Sequence, residues 1–178
     1  MKKFIVLLSL VLVGILSACN TPNNNSTTID SSSLFGVWEN TAIQLPEEPK
    51  LEFPYDPTGG KIPGVEMRMY RCFSADKKML QAFRVTGILE YNRLYQIKME
   101  KVKNVTYSVS GNNITVIVDT DEGKVSQTGT LQISGNAAVL TMPVPNKGTM
   151  TIWMKKVSSP TEADIINAPL MNLEDLTS

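Results

Sequence analysis

Two stretches, Tyr107-Ser108-Val109-Ser110-Gly111-Asn112-Asn113-Ile114-Thr115-Val116 and Gly129-Thr130-Leu131-Gln132-Ile133-Ser134-Gly135-Asn136-Ala137-Ala138-Val139-Leu140-Thr141-Met142, carry the pattern that decides the fold. In each, apolar residues alternate with small polar ones up to a Gly-Asn turn, and then alternate again. A period of two puts successive side chains on opposite faces of an extended chain. Gly and Asn accept the positive φ of a tight hairpin turn. Val105 to Ser110 therefore pairs with Ile114 to Val118, and Lys124 to Ser134 with Ala137 to Met142. One face is apolar and the other is Thr, Ser, Lys, Glu and Gln, the pattern of an antiparallel sheet buried on one side.

The same rhythm runs outward in both directions. Gly36 to Gln44 reads as the first strand, and Val65 to Ser74 with Lys78 to Thr86 as a hairpin about Ala75-Asp76-Lys77. Ile88 to Val102 holds one or two strands broken near Asn92-Arg93, and Thr149 to Val157 is the last. A sheet of this size with no helix to cover it must close or fold over, because open edges invite aggregation. The expected fold is all-β: an eight- to nine-stranded antiparallel up-and-down barrel over 34–157, with a short C-terminal helix and tail in 158–178. A stretch of about 125 residues suits a single core.

Between the first two strands, Leu45 to Gly64 holds Pro46, Pro49, Pro54, Pro57 and Pro63 with Gly59, Gly60 and Gly64. These residues oppose regular pairing, so a long loop is expected. Loops of that length tend to be functional, and this one is read as a lid or mouth lined by Phe53 and Tyr55. After Val157, Ser159 is the expected N-cap and Pro160 the first helical residue. Ala168-Pro169 ends the helix, and Met171 to Ser178 is expected to be a loose tail. Trp153 falls on the outer face of the last strand, where that tail is its expected cover.

The chain opens Met1-Lys2-Lys3, runs apolar from Phe4 to Leu16, and reaches Leu16-Ser17-Ala18-Cys19. Positive charge, a short apolar segment and small residues form a secretory signal. The apolar run falls short of the ~20 residues that span a bilayer. Its close resembles a bacterial lipobox. The resemblance implies that residues 1–18 are cut away and that Cys19 carries a diacylglycerol and a further acyl chain, palmitate being typical. Two or more chains hold a protein at a membrane for good. Residues 19–33 contain a single aliphatic residue, Ile29, and are expected to be a lipidated flexible tether with a reach of roughly 20 Å. The expected location is the bacterial cell envelope, at the outer membrane where there is one, because Asn20 replaces the Asp that marks inner-membrane retention.

Loss of Lys2 and Lys3 leaves fifteen basic against seventeen acidic residues, a formal balance of −2. No basic footprint for nucleic acid exists. The sequence has no His, so the usual general base and the commonest metal ligand are both missing. Asp119-Thr120-Asp121-Glu122-Gly123 starts like a calcium loop, but Lys124-Val125-Ser126 does not supply the ligands that should follow. No Gly-x-Ser-x-Gly elbow occurs. Cys72, without a His or a second Cys for company, reads as a small buried apolar residue. The expectation is a non-catalytic protein with no metal and no cofactor.

Leu34-Phe35-Gly36-Val37-Trp38 resembles the Gly-x-Trp opening of lipocalins and of lipocalin-like bacterial lipoproteins, and the hairpin rhythm above strengthens the likeness. The resemblance implies an eight-stranded up-and-down barrel closed at one end by Gly36 and Trp38. It also implies an interior that takes a small apolar ligand. Lipocalins cover this Trp with an Arg from the last strand; no Arg follows Arg93 here, which leaves Lys155 or Lys156 for the role. The paired last-strand Arg and Tyr of fatty-acid-binding proteins are missing, and Arg68-Met69-Tyr70 repeats their spacing on an early strand.

By alternation the inward-facing candidates for ligand contact are Met67, Met69, Phe83, Tyr95, Ile97, Met99, Tyr107, Met142, Ile152 and Met154. Methionine adapts to irregular apolar shapes, and Tyr adds a hydroxyl. The competing reading is a solidly packed barrel whose surface meets an envelope protein partner, as an interaction or inhibitor module.

Overall fold

The computed structural model describes residues 29–89 and 92–172; Cys19, the signal segment and Tyr91 lie outside them. Alternation is expressed as one curled sheet of eleven strands. They are β1 (Gly36–Gln44), β2 (Leu51–Glu52), β3 (Glu66–Phe73), β4 (Met79–Thr86), β5 (Leu94–Lys98), β6 (Val102–Ser110), β7 (Asn113–Thr120), β8 (Gly123–Ser134), β9 (Ala137–Val144), β10 (Gly148–Val157) and β11 (Leu170–Asn172). The expected count was eight or nine. It rises because β2 and β11 are too short to display any alternation; of the one or two strands expected after Ile88 one forms, β5, and β6 is the strand expected from Val105, begun three residues earlier.

The strand order is β11-β5-β4-β3-β1-β10-β9-β8-β7-β6, with β2 added to β1. First and last long strands pair from Val37↔Val157 to Gln44↔Thr151, with an irregularity between Asn40 and Ala42. The curl brings the far edge back. Thr106 of β6 bridges Lys78, just ahead of β4, and the Tyr107 N–H donates to the Lys77 carbonyl at 2.9 Å. At one end of the curl lie Gly36, Phe73 and Met79. The 45–65 loop and the turn that begins at Gly87 lie at the other.

Helix α1 (Ser31–Leu34) sits at the first of these ends, capped by Asp30, whose carboxylate accepts the Ser32 N–H at 2.9 Å. Ile29 packs on the core and Leu34 is buried. Helical structure therefore reaches into the stretch expected to be tether. An Asx-type cap lets three serines hold a helical turn.

The Pro-rich segment is pinned rather than free. β2 pairs with Ala42 and Ile43, the Phe53 N–H donates to Thr41 at 2.9 Å, and Tyr55 exchanges both backbone bonds with Met67, at 3.0 and 2.7 Å. Phe53 and Tyr55 pack against the core from this end. Gly87 (φ 86°) lies so close to the Gly64 carbonyl that a Cβ there would clash, so the two loops cross tightly.

Helix α2 (Glu162–Ile166) covers the outer face. Its N-cap is Thr161 rather than Ser159, because Thr161 and Asp164 form a reciprocal capping box, which satisfies two donors that Ser159 would leave open. Beneath it Val37, Tyr70, Cys72, Ala82, Leu94 and Ile165 make a second small core. The chain then returns as β11, parallel to β5. This corrects both the wholly antiparallel sheet and the loose start of the tail: an exposed edge strand is best covered, and Gln96 donates to Pro169 and Ile165 at 2.9 and 3.1 Å. Lys50 covers Trp153, its Nζ 4.8 Å from the ring centre; the tail beyond Asn172, the expected cover, lies outside the described residues.

Candidate functional site

The concave face of the curl gathers every ligand-contact candidate into one apolar cluster. Nine of them (Met67, Met69, Phe83, Tyr95, Ile97, Tyr107, Met142, Ile152 and Met154) are at most 7 % exposed. Met99 is half-buried at its margin. These nine side chains pack together in the main core. Val125, near the start of β8, is only half-buried. β8 pairs with β9 only from Thr130 onward, and Val125 lies beyond that point.

Tyr107 does not serve a mouth. Its hydroxyl donates to the Ser74 carbonyl at 2.8 Å and its ring meets Phe73 edge-on at 5.2 Å. Burial pushes the hydroxyl up to about 12. Tyr95 stacks on Phe83 at 5.5 Å and accepts from the Arg93 Nε at 2.9 Å. Tyr70 belongs to the outer core under α2. At the α1 end Trp38 is fully buried and donates from its Nε1 to the Leu34 carbonyl at 2.8 Å. Lys156 lies over its ring at 5.4 Å, and Gly36 takes φ 109° there.

Three polar residues share the concave face. Trp38, Arg71 and Gln81 stand side by side in register on β1, β3 and β4. Asn40 is the next concave position after Trp38. Arg71 falls between Met69 and Phe73, and Gln81 between Met79 and Phe83, all four of which are core. Asn40, Arg71 and Gln81 are 1, 2 and 5 % exposed. Arg71 Nε and Nη2, Gln81 Nε2 and both amide atoms of Asn40 have no hydrogen-bond partner among the described residues. Burial alone pushes the Arg71 guanidinium down to about 10. The sequence reading missed these three. Their signal was a polar residue in phase with an apolar stripe, at Met69-x-Arg71-x-Phe73 and Met79-x-Gln81-x-Phe83.

The outer face treats its buried charge differently. Glu39 accepts from Arg68 Nη1 at 2.8 Å and lies 3.2 Å from Lys155 Nζ. The hydrogen bond to Glu39 raises Arg68 above the usual guanidinium value. Cys72 is fully buried under α2, and burial pushes its thiol up to about 12. The acids of the β7–β8 turn face lysines: Lys103 to Asp121 at 3.1 Å and Lys101 to Glu122 at 3.7 Å. Beside them an open notch of about 390 Å³, lined by Lys98, Met99 and Lys101 among others, faces solvent rather than the concave core. Among the described residues no three His, Cys, Asp or Glu side chains are placed to hold a metal, and no helix is long and apolar enough to cross a membrane.

A scan of protein-family models finds no match to this chain, and a search of curated proteins finds none either. Among solved structures it is similar to the fluorescent protein UnaG, at 11 % identity over 71 % of this chain and 98 % of that one, with a TM-score of 0.37. An asparagine-to-alanine mutant of UnaG gives 10 % identity over the same shares and a TM-score of 0.36. Both likenesses are weak.

Proposed function

We propose that this chain is a bacterial envelope lipoprotein, anchored through lipid on Cys19, whose lipocalin-like up-and-down barrel binds a small apolar ligand without catalysis. It takes no cofactor and no nucleic acid, and it sits at the outer membrane where the cell has one. The observation that carries the ligand reading is the set of unpaired polar atoms on the concave face. Buried polar groups are nearly always satisfied, so a concave face with several orphans is short of a partner.

The second reading, a packed domain whose surface meets an envelope protein, is favoured by the tight burial of the nine interior candidates. Native mass spectrometry of the full chain, purified gently from the bacterial membrane fraction, separates the two. A released small hydrophobe supports the first. A clean apo mass that stays unchanged after challenge with a mixed lipid extract supports the second. Incorporation of labelled palmitate, lost in Cys19→Ala, tests the anchor.

A further inference from the structure

We propose that Arg71, Gln81 and Asn40 form a carboxylate-binding site inside the curled sheet, so that the bound molecule is a small apolar acid; the inference rests on the ligand reading above. The unpaired atoms set the chemistry. Four are donors (Arg71 Nε and Nη2, Gln81 Nε2, Asn40 Nδ2) and one, Asn40 Oδ1, is an acceptor. Such an excess of donors asks for an anion or a strong acceptor. For Asn40 the orientation of the amide is immaterial, because both of its ends are unpaired.

The two arginine donors lie on the same edge of the guanidinium. That edge is the fork whose parallel N–H groups match the two oxygens of a carboxylate. A phosphate dianion would bring two negative charges to a single buried cation. Among the described residues no counter-ion is supplied: the one buried acid there, Glu39, faces the opposite side with its own basic partners. An unpaired guanidinium out of water is expensive, and an incoming carboxylate removes that cost. Methionines supply the room. Met69 is the next concave position before Arg71, and Met154 pairs with Asn40. Unbranched thioether chains can turn aside at low cost for an apolar body.

The test uses the full chain in non-ionic detergent and two shape-matched pairs, benzoate with benzamide and octanoate with octanamide. Binding is read by calorimetry and by the shift of the thermal midpoint. The acid of at least one pair should bind about ten- to hundredfold more tightly than its amide, the range expected for hydrogen bonds to a charged group. Arg71→Met should abolish that preference, and Arg71→Lys, which keeps the charge without the fork, should lose most of it. Without ligand, the midpoint of Arg71→Met should equal or exceed that of the unaltered chain, because an uncompensated buried charge has gone.

A ligand-free Arg71→Met midpoint that falls shows the guanidinium to be satisfied within the fold, and overturns the site. Chloride giving the same shift as the acids also overturns it. Acid and amide binding equally in both pairs overturns the carboxylate site while leaving ligand binding in place. Failure of both acids to bind overturns the site as well, and the native mass spectrum then decides separately whether the interior holds a neutral molecule.

Discussion

Tyr107→Phe removes one oxygen from the best-defined buried hydroxyl in the molecule, and its cost can be worked from the neighbours. The hydroxyl donates to the Ser74 carbonyl at 2.8 Å, but that carbonyl also accepts the Lys77 N–H at 3.1 Å. The variant therefore loses one neutral hydrogen bond without orphaning its acceptor, and the edge-on contact with Phe73 survives. The loss should be about 1 kcal/mol, at the low end for a buried bond, or about 2–4 °C in midpoint for a domain of this size.

The pH dependence adds a second readout. The folded hydroxyl is raised to about 12 from the usual 10.0, chiefly by burial. A raised value means that the neutral form is favoured by folding: its contribution is complete below pH 10 and is lost as pH climbs through 12. That contribution is roughly 2–3 kcal/mol in the unaltered chain and is absent from the variant. The gap between the two proteins should therefore close between pH 10 and 11 and be reversed, by roughly 1 kcal/mol, at pH 12. Urea unfolding followed by circular dichroism at pH 7 and across pH 10–12 measures it, and the titration of Tyr70 cancels in the comparison. A deficit above 3 kcal/mol at pH 7, or one that stays constant to pH 12, would refute the reasoning.

Gly129→Ala should cost at least 1–3 kcal/mol by overpacking, because its Cβ would clash with the Thr141 carbonyl and the Met142 sulfur; chemical denaturation measures the loss. Glu39→Gln weakens two charge-assisted contacts, to Arg68 and Lys155, and should lower stability by about 1–3 kcal/mol, with a smaller deficit at high salt. Leu89→Ser should leave the midpoint within about 0.5 kcal/mol of the unaltered chain, since Leu89 is 95 % exposed; a larger loss in thermal unfolding would mean that something covers it.

The hairpins were legible because their information is local. Gly111-Asn112 and Gly135-Asn136 name the turns, and the alternation on either side names the buried face. β2 and β11 were not legible: two- and three-residue strands exist only because β1 and β5 offer them a free edge. Trp153 shows the same limit from another side, since alternation gave its face but not Lys50 as its cover. The α2 cap was placed two residues early because Pro160 is a generic first-turn residue, whereas the Thr161–Asp164 box is a specific pair. The polar trio was visible in principle. The apolar stripe of β3 runs inward through Met67 and Met69 and resumes in phase at Phe73, and the charge of Arg71 between them hides its continuity.

That in-phase arginine is also where fold and function meet. β1 and β3 lie side by side and bury one charge on each face of the sheet: Glu39 outward and Arg71 inward. The outward charge is conventional, with two cations within 3.2 Å and a role completed within the chain. The inward charge sits at a position where an apolar residue of similar volume would pack without penalty, and replacing unpaired buried charge with such residues usually stabilises. Stability alone does not account for an arginine there. Function does if a partner reaches it, and the Met-rich surroundings let one in without rebuilding the wall. The cost of the empty site and the affinity of the filled one are then the same free energy seen from two sides. For that reason, the ligand-free stability of Arg71→Met carries as much weight as any binding curve.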